Sequence, residues 1–538
     1  MQVLPPPPLL LLLPAVLLLL LHPYTPADGS HVLVFPGEYS HWLNMRSIME
    51  ELVRRNHSVT VLISEASPTV NYNDSRDAAK FNFLDFKVPF SRVEFKGVFE
   101  DFIHFSMYES HVSSPLQKFL KMCDLMQRTV DVGMKQCDSM LKNEKLMATL
   151  RAAAFDAVLL DPIVMCGDLV ADVLGLPLVI SLRFTFGGVM ERHCGHAPAP
   201  PSYVPVAPLT YGDRMTFVER LINAVAYVWI SATSEVFWRL TIDKYYSEFK
   251  NQRSPSSACS TVGNADVWLI RTFWDLETPR PTPPNFKHVG GLHCKPANQL
   301  PEDMEAFVQS SGDAGVVVVS FGSMVTNLTT ERADVIAAAL GRIPQKVIWR
   351  YSGETPKTLA ANTKLSDWIP QNDLLGHPRT RAFVTHGGTN GLYEAVYHAV
   401  PLVGVPLFGD QPDNLASLSR RGVAIVLDFN RLTSDDLTEA LHAVINQPRY
   451  KSSMHRLSAL HRDRPVTPLS TAVFWVEFVM RHGGARHLRL ASHDLNWFQY
   501  HSVDTGAALL VAMMAAAILC WGGIKCLTEE RLKTFIQQ

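Results

Sequence analysis

The stretch "FVTHGGTNGLYEAV", residues 383–396, joins an apolar run to a helical pattern through a turn that is rich in glycine. The apolar run ends at Thr385, and a histidine, two adjacent glycines and a third glycine, Gly391, follow it. A carboxylate, Glu394, lies on the predicted helix. A purely structural strand-to-helix turn needs one glycine at most, so this composition predicts that a ligand sits on the turn.

Strand-like apolar runs and helical patterns alternate along the rest of the chain, which predicts an α/β fold. In the first half the predicted strands are 31–35, 58–63, 155–161 and 177–182, and a helix is expected at 167–174. The segment 279–286, "PRPTPPNF", has four prolines in eight residues and is the predicted linker. Beyond it, strands are predicted within 315–323, 346–351, 381–386, 401–406 and 423–428. We expect two Rossmann-like, doubly wound domains that face a cleft, over residues 28–285 and 286–490.

The two ends of the chain carry long apolar segments. Residues 9–21 are apolar and small polar residues follow, which predicts a secretory signal over 1–27, with a retained signal anchor as the alternative. Residues 505–524 form a run of twenty without a charge, which predicts a transmembrane helix over 503–525 and a cytosolic tail over 526–538. The sequons at Asn56, Asn73 and Asn327 are compatible with a luminal location of the bulk of the chain.

Composition excludes some classes of function. The 538 residues include 49 Lys and Arg against 51 Asp and Glu, so no net field attracts polyanions, and nucleic acid is not an expected partner. The eight cysteines lack zinc-type spacing, and both disulfides and buried free thiols are open alternatives. The chain also lacks an Asp-x-Asp triplet that would hold a metal on a diphosphate, so no metal site is expected.

Three predicted strand-to-helix junctions of the second half should meet at one sheet edge, because parallel strands present their carboxyl ends together. Glycines allow backbone N–H groups to approach a phosphate, and the helix N-terminus adds partial positive charge. The junctions contain Ser320, Gly322 and Ser323; His386, Gly387, Gly388, Asn390 and Gly391; and Gly409, Asp410 and Gln411. They predict a diphosphate site with His386 as an additional donor.

Nearby side chains suit the rest of a nucleotide. Glu394 could accept hydrogen bonds from two ribose hydroxyls, while the flat face of Trp368 and the amide of Gln371 suit a pyrimidine base. Each residue alone has an ordinary structural explanation: a core tryptophan, a satisfied histidine or tight-turn glycines. Together they predict a nucleoside diphosphate ligand, and the absence of a G-x-G-x-x-G turn after the first strand argues against NAD.

The first half contributes a candidate base. His41 follows the first predicted strand, and Asp161 ends a later one, so both should face the cleft. A carboxylate beside an imidazole fixes its tautomer and stabilises the imidazolium that forms when a hydroxyl is deprotonated. An ordinary loop histidine is the alternative interpretation of His41.

Residues 368–411 closely resemble the UDP-glycosyltransferase signature, with "FVTHGGTNGLYE" and "PLVGVPLFGDQ" at the family's spacing. Over nearly the whole chain, segments such as "EYSHW", "SFGSMV", "WIPQNDLLGHP" and "HDLNWFQYHS" look like vertebrate microsomal UDP-glucuronosyltransferases, closest to their second family. The resemblance implies a GT-B glycosyltransferase with an N-terminal aglycone domain, a C-terminal UDP-sugar domain whose last helix returns to the first, and a luminal location in the endoplasmic reticulum. It also implies homo- or hetero-oligomers with related enzymes, although the tail lacks the family's usual di-lysine.

The resemblance assigns roles residue by residue. His41 matches the catalytic base and Asp161 its partner, while Arg271 matches an arginine tied to an anion of the sugar nucleotide. Matches to UDP-sugar contacts are Ser320, Ser323, Trp368, Gln371, His386, Gly391, Glu394, Asp410 and Gln411.

The resemblance implies a reaction in which glucuronate passes from UDP-glucuronate, a co-substrate and not a bound cofactor, to a hydroxyl with inversion. We expect lipophilic phenols, steroids or xenobiotics as acceptors, in an apolar pocket around residues 90–122 and 184–196. Two alternatives are a glycosyltransferase that uses UDP-glucose, UDP-xylose or UDP-N-acetylglucosamine, and a non-catalytic UDP-sugar-binding subunit.

Overall fold

The computed structural model describes residues 29–182, 188–250, 257–325 and 327–537. The predicted signal, 1–27, lies outside the described residues. The described chain divides into two compact units, of which the first extends to Arg486 and the second begins at His487.

The first half of the larger unit is built around a seven-stranded parallel sheet in the order β3-β2-β1-β4-β5-β6-β7. Its strands are β1 (His31–Phe35), β2 (Ser58–Ser64), β3 (Asn82–Phe86), β4 (Ala157–Leu160), β5 (Leu178–Leu182), β6 (Val267–Ile270) and β7 (Phe286–His288). Its helices are α1 (Ser40–Arg54), α2 (Ser75–Ala78), α3 (Arg92–His104), α4 (Pro115–Leu141), α5 (Glu144–Ala152), α6 (Gly167–Leu174), α7 (Val189–His193), α8 (Phe217–Leu240), α9 (Ile242–Lys250) and α10 (Ala258–Val262), and a π-helical turn, Phe105–Glu109, continues α3.

The second half is built around a six-stranded parallel sheet in the order β10-β9-β8-β11-β12-β13. Its strands are β8 (Val316–Ser320), β9 (Lys346–Arg350), β10 (Thr363–Ser366), β11 (Thr380–Thr385), β12 (Leu402–Gly404) and β13 (Ala424–Val426). Its helices are α11 (Glu302–Gln309), α12 (Thr330–Leu340), α13 (Gln371–Leu375), α14 (Thr389–Tyr397), α15 (Gln411–Arg420), α16 (Ser434–Asn446), α17 (Pro448–Arg462) and α18 (Pro468–His482).

The side chains of β8 show that this sheet is covered on both faces. Successive side chains of a strand point to opposite faces. Val317 and Val319 join one apolar cluster, whereas Val316 and Val318 join another. A strand buried on both faces has a continuous apolar sequence, which is the pattern "VVVV" of β8.

The predicted fold class, two doubly wound parallel sheets, is confirmed. The sequence patterns did not identify β3, β6, β7 and β10. Of these, β3 and β10 are edge strands with polar, partly exposed side chains, and β7 has only three residues. The expected boundary at 285 differs from the structure, because β7 follows it and still pairs with β6 in the first sheet. The polypeptide therefore passes to the second half after His288.

The strand order reverses once in each sheet, between β1 and β4 and between β8 and β11. Chains that leave the carboxyl ends of such neighbouring strands turn in opposite directions and open a crevice. His41 and Asp161 follow β1 and β4, and Ser320 and His386 stand at the ends of β8 and β11. The fold thus brings the predicted site residues of each half to its topological switch point.

The last helix of the larger unit belongs to both halves. α18 packs against α1 and against β4, β5, β6 and β7 of the first sheet. On this helix Glu477 receives a hydrogen bond from Arg55 Nη1 at 3.1 Å and lies 3.2 Å from His57 Nε2. After the second half, α18 therefore returns and packs against the first half.

The smaller unit contains α19 (Trp497–Tyr500) and a long helix, α20 (Val503–Ile536). The part of it from Val503 to Lys533 has a mean hydropathy of 2.2 and is long enough to cross a membrane. The apolar segment predicted at 503–525 is therefore helical, and the helix continues through most of the predicted tail.

Two disulfides fix segments of the first half, a pairing that the cysteine spacing left open. Cys137 of α4 is bonded to Cys166, which precedes α6, and Cys194 is bonded to Cys259 of α10. Cys123, also on α4, is free. The first disulfide closes a loop of 29 residues between two fully buried positions.

We expect that replacing both Cys137 and Cys166 by alanine lowers the thermal midpoint of unfolding by roughly 10 °C. The reason is that a cross-link across a loop of this size stabilises the folded state by about 3 kcal/mol. The measurement is thermal unfolding followed by circular dichroism, with Cys123→Ala as the matched control from the same helix. An unchanged midpoint in the double variant would contradict a stabilising role for this disulfide.

Candidate functional site

His41 and Asp161 form the centre of the first switch point. His41 is the second residue of α1, and its Nδ1 lies 2.7 Å from Oδ2 of Asp161. The backbone N–H of Asp161 donates to the carbonyl of Phe35 at the end of β1, which fixes the carboxylate beside the start of α1. With Nδ1 protonated toward the carboxylate, Nε2 retains a lone pair that can accept a proton.

Arg271, which follows β6, completes this centre. Its Nη2 donates to Oδ2 of Asp161 at 2.7 Å and lies 3.4 Å from His41 Nδ1, and its side chain is almost fully buried. Burial alone would raise the pKa of Asp161, but the charges of His41 and Arg271 hold this pKa well below its usual range. In the structure Arg271 pairs with Asp161 and favours its ionised form, and the expected contact of Arg271 with an anion of the donor stays a prediction.

Gly37 makes room for the pair. A Cβ at this position would lie 2.8 Å from Cβ of His41, 3.0 Å from Cγ2 of Ile163 and 3.2 Å from Cγ of Asp161. Any side chain at residue 37 would push the imidazole or the carboxylate aside. The close packing of His41 against Asp161 thus requires the glycine in "FPGEYS", and the sequence pattern alone did not identify this requirement.

An apolar cavity of about 140 Å³ opens beside His41. Phe95 and Phe99 of α3, within the predicted acceptor segment, contribute to its wall, and Met324 reaches it from the second half. Further lining residues include Phe35, Leu62, Phe86, Met140 and Ile163. A mostly apolar chamber with one imidazole suits a lipophilic molecule that presents a single hydroxyl.

The second predicted acceptor segment, 184–196, is placed differently. Residues 184–187 lie outside the described chain. Of the rest, Gly188, Glu191 and Arg192 line another cavity, of about 120 Å³, together with Trp274 and residues of α15. The described residues of this segment are therefore not among those that line the cavity beside His41.

His386 lies between two glycine-rich loops of the second half. A Cβ at Gly322 would come within 2.6 Å of His386 Nε2, and one at Gly388 within 2.5 Å. Gly322 and Gly387 have φ values of 86° and 91°, which other residues rarely adopt. The two junctions therefore pack against the imidazole of His386, and α14 begins three residues after it, at Thr389.

The serines of the first junction are close to this turn. Ser320 is buried at the end of β8, and its Oγ accepts from the backbone N–H of Gly322 at 3.4 Å. Ser323 is half-buried in the turn that follows. This arrangement of N–H groups, hydroxyls and one imidazole suits an anion with several oxygens.

Gln371, the first residue of α13, is in direct contact with Glu394, the sixth residue of α14. Nε2 of Gln371 donates to Oε2 of Glu394 at 2.6 Å, and a Cβ at Gly391 would lie 3.2 Å from the same nitrogen. Burial raises the pKa of Glu394 to about 7, despite the hydrogen bond from Gln371. Trp368, three residues before Gln371, is 65% exposed, so its indole face is available to a ligand.

The third junction is organised by a residue that the sequence patterns did not identify, Asn414. Its Nδ2 donates to Oδ2 of Asp410 at 2.7 Å and to the carbonyl of Gly387 at 3.1 Å. Gln411 uses its Oε1 to accept from the backbone N–H groups of Leu407 and Phe408. The loop before α15 is thus held against the glycine turn, residues 386–391. The only available sequence signal for Asn414 was its position four residues after Asp410, a spacing that brings two side chains together at the start of a helix.

Asn390 points toward the first half. Its Oδ1 accepts from Nδ2 of Asn44 at 2.9 Å, and its Nδ2 lies 3.5 Å from the carbonyl oxygen of Ser40. His293 Nε2 lies 3.1 Å from the backbone carbonyl of Asn390 and 3.9 Å from Oε1 of Glu394. Asn390 therefore forms a contact between the two halves of the larger unit, and its role as a sugar-nucleotide contact stays a prediction.

Known proteins resemble this chain over most of its length. The family profile described as "UDP-glucoronosyl and UDP-glucosyl transferase" matches residues 30–535. The chain is 50% identical over 499 residues to UDP-glucuronosyltransferase 2A1 of Rattus norvegicus, which covers 93% of each chain. It is also 50% identical over 492 residues to UDP-glucuronosyltransferase 2A2 of Homo sapiens, covering 91% of this chain and 90% of the relative.

Solved structures share the fold. The calicheamicin glycosyltransferase CalG4 superposes with a TM-score of 0.54 at 19% identity, covering 84% of this chain and 98% of CalG4. The spinosyn forosaminyltransferase SpnP gives a TM-score of 0.56 at 17% identity, covering 84% of this chain and 99% of SpnP. At these identities the likeness concerns the two-sheet architecture. With a profile match over nearly its whole length and relatives at half identity, the chain belongs to the UDP-glucuronosyl and UDP-glucosyl transferase family.

Proposed function

We propose that this protein transfers glucuronic acid from UDP-glucuronate to a hydroxyl of a lipophilic small molecule, giving a β-glucuronide and UDP. The observation that carries the proposal is the His41–Asp161 pair at one switch point, whose imidazole lines an apolar cavity that Met324 of the other half also lines. The relatives at 50% identity are named UDP-glucuronosyltransferases, which supports glucuronate as the sugar. The first half then takes the aglycone and the second the UDP-sugar.

The base acts through His41 Nε2. Asp161, kept ionised by Arg271, holds Nδ1–H and stabilises the imidazolium that forms. The acceptor hydroxyl loses its proton to Nε2, its oxygen forms the new bond to the anomeric carbon, and the bond from that carbon to UDP breaks. Attack from the side opposite UDP inverts the configuration, and the proton on His41 passes to solvent.

The second half binds the donor and stabilises the charge of the leaving diphosphate. We assign the diphosphate to Ser320, Ser323, His386 and the backbone of the glycine turn, where donors in fixed positions face the charge that develops. Trp368 and Gln371 receive the uracil, and Glu394 accepts from the ribose. Asp410 and the free amide of Gln411 contact sugar hydroxyls.

Two alternatives concern the donor and catalysis. The family description also includes UDP-glucosyl transferases, so UDP-glucose and other UDP-hexoses are the competing donors. A non-catalytic UDP-sugar-binding subunit has no use for a base, and the intact pair of His41 with Asp161 argues against it.

We further propose a luminal location in the endoplasmic reticulum, with α20 as the single membrane anchor and a cleaved signal. The side chains of Asn56, Asn73 and Asn327 are exposed, which supports their use as glycosylation sites. Homo- or hetero-oligomers with related enzymes remain part of this proposal.

Replacement of His41 by alanine should lower kcat for glucuronide formation by about 10²–10⁴-fold, because the general base is lost. The dissociation constant of UDP should stay within about twofold, since the imidazole belongs to the other half. Rates are measured with a phenolic acceptor and UDP binding by calorimetry, with the exposed His111→Ala as control. Loss of UDP binding in the His41 variant would contradict the assigned role.

The affinity for UDP should rise with pH through Glu394. Burial raises the pKa of this carboxyl to about 7, so the form that accepts from two ribose hydroxyls is present above that pH and is lost below it. We expect UDP to bind about tenfold more tightly at pH 8 than at pH 6 through this group. Glu394→Gln is the matched control, because its remaining pH dependence reports the phosphates of UDP. Equal pH profiles in both proteins would overturn the ribose assignment.

Donor choice is tested by incubating membranes that contain the protein with one phenolic acceptor and radiolabelled UDP-glucuronate, UDP-glucose, UDP-xylose and UDP-N-acetylglucosamine in competition. Glucuronide should be the main product. Abundant glucoside without glucuronide would identify a different donor, and no product from any of them, together with normal UDP binding, would favour the non-catalytic alternative.

A further inference from the structure

A pair of amides joins the element that carries the base to the element that carries the glycine turn. Asn44 stands on α1, one helical turn after His41, and Asn390 is the second residue of α14. Nδ2 of Asn44 donates to Oδ1 of Asn390 at 2.9 Å. The bond thus spans the gap between the halves of the larger unit.

Asn44 is poorly explained by the needs of its own helix. Asparagine is a weak helix former, and a buried amide costs free energy unless its polar atoms are hydrogen-bonded. Asn44 is only 2% exposed, and its Nδ2 has two acceptors, the carbonyl of Ser40 and the side chain of Asn390. The second acceptor belongs to the other half of the unit, so the two halves must be in contact for both donor hydrogens of this amide to be bonded.

The two contacts of Asn390 with α1 lie on either side of His41 in the sequence. Asn390 Nδ2 lies 3.5 Å from the carbonyl oxygen of Ser40, the residue before His41, while its Oδ1 binds Asn44 three residues after His41. On the other side, Asn390 follows Gly387 and Gly388 by two to three positions. A shift of α1 relative to α14 would therefore move the imidazole relative to whatever the glycine turn holds.

We propose that Asn44 and Asn390 are positioning residues that set the distance and angle between His41 and the anomeric carbon of the donor held on the glycine turn. This inference rests on the proposed function, because it assumes that the base and the donor belong to opposite halves. Neither amide touches the reacting atoms. Their effect is on alignment in the closed enzyme, and a misplacement of about 1 Å can cost about 10²-fold in rate.

The test is a double-mutant cycle. Asn44→Ala and Asn390→Ala should each lower kcat by roughly 10–100-fold, and the double variant should be no slower than the slower single variant, because one contact is lost in all three. In Asn44→Ala the dissociation constant of UDP and the KM of the acceptor should stay within about twofold of wild type, since the groups assigned to ligands are unchanged in this variant. Ser47→Ala is the matched control, because its hydroxyl bonds only to the Leu43 carbonyl of the same helix among the contacts described.

Folding and function are separated by further measurements. Alanine is a better helix former than asparagine, and thermal unfolding checks that α1 is intact in each variant. Should Asn44→Ala fail to fold, Asn44→Ser and Asn390→Ala carry the same test from a smaller change and from the opposite side of the contact.

Wild-type kcat in the single variants would overturn the inference while leaving the proposed function in place. So would losses that multiply in the double variant, or a fall in the UDP affinity of Asn44→Ala that parallels its fall in kcat. Absence of glycosyl transfer by the wild-type protein itself would overturn both.

Discussion

A parallel sheet opens a crevice only where its strand order reverses, and this constraint decides where chemistry is placed in this chain. Each half has one such point, between β1 and β4 and between β8 and β11. The His41–Asp161 pair lies at the switch point of the first half, and the glycine turn lies at that of the second half. Neither half is complete alone, because the base belongs to one sheet and the proposed leaving group to the other. The activity therefore depends on how the two switch points are held against each other.

Within the first half, the electrostatics depend on a buried carboxylate between an imidazole and a guanidinium. Removing an ion from water costs several kcal/mol, which is offset only by close, well-oriented hydrogen bonds. Asp161 has two of these, to His41 and to Arg271, each at 2.7 Å. The arginine follows β6, two strands away from β4, and still reaches the same sheet edge. Its contribution is to preserve a negative charge beside an imidazole that must become positive during turnover.

The sequence predicted the local units well and the contacts between them poorly. "FVTHGGTNGLYEAV" contains its strand, turn and helix in one continuous stretch, so the junction and its glycines could be identified without coordinates. Arg271 was linked to the donor through the resemblance to the family, and nothing local to "WLIRTFWD" shows that Asp161, 110 residues away, is a partner of this arginine. Asn44 and Met324 were missed for the same reason: their partners come from the opposite half.

These contacts imply that acceptor selectivity is not a property of the first half alone. α3 contributes Phe95 and Phe99 to the cavity beside His41, and the same helix places Phe102 against Phe408 with a ring-centroid distance of 6.1 Å. Phe408 lies two residues before Asp410, in the loop assigned to the sugar. The π-helical turn that continues α3 buries Met107 in the apolar cluster of the second sheet. The helix that contributes to the wall of the proposed acceptor cavity thus also packs against the loop proposed to bind the sugar, and we expect substitutions on this helix to alter acceptor and donor preferences together.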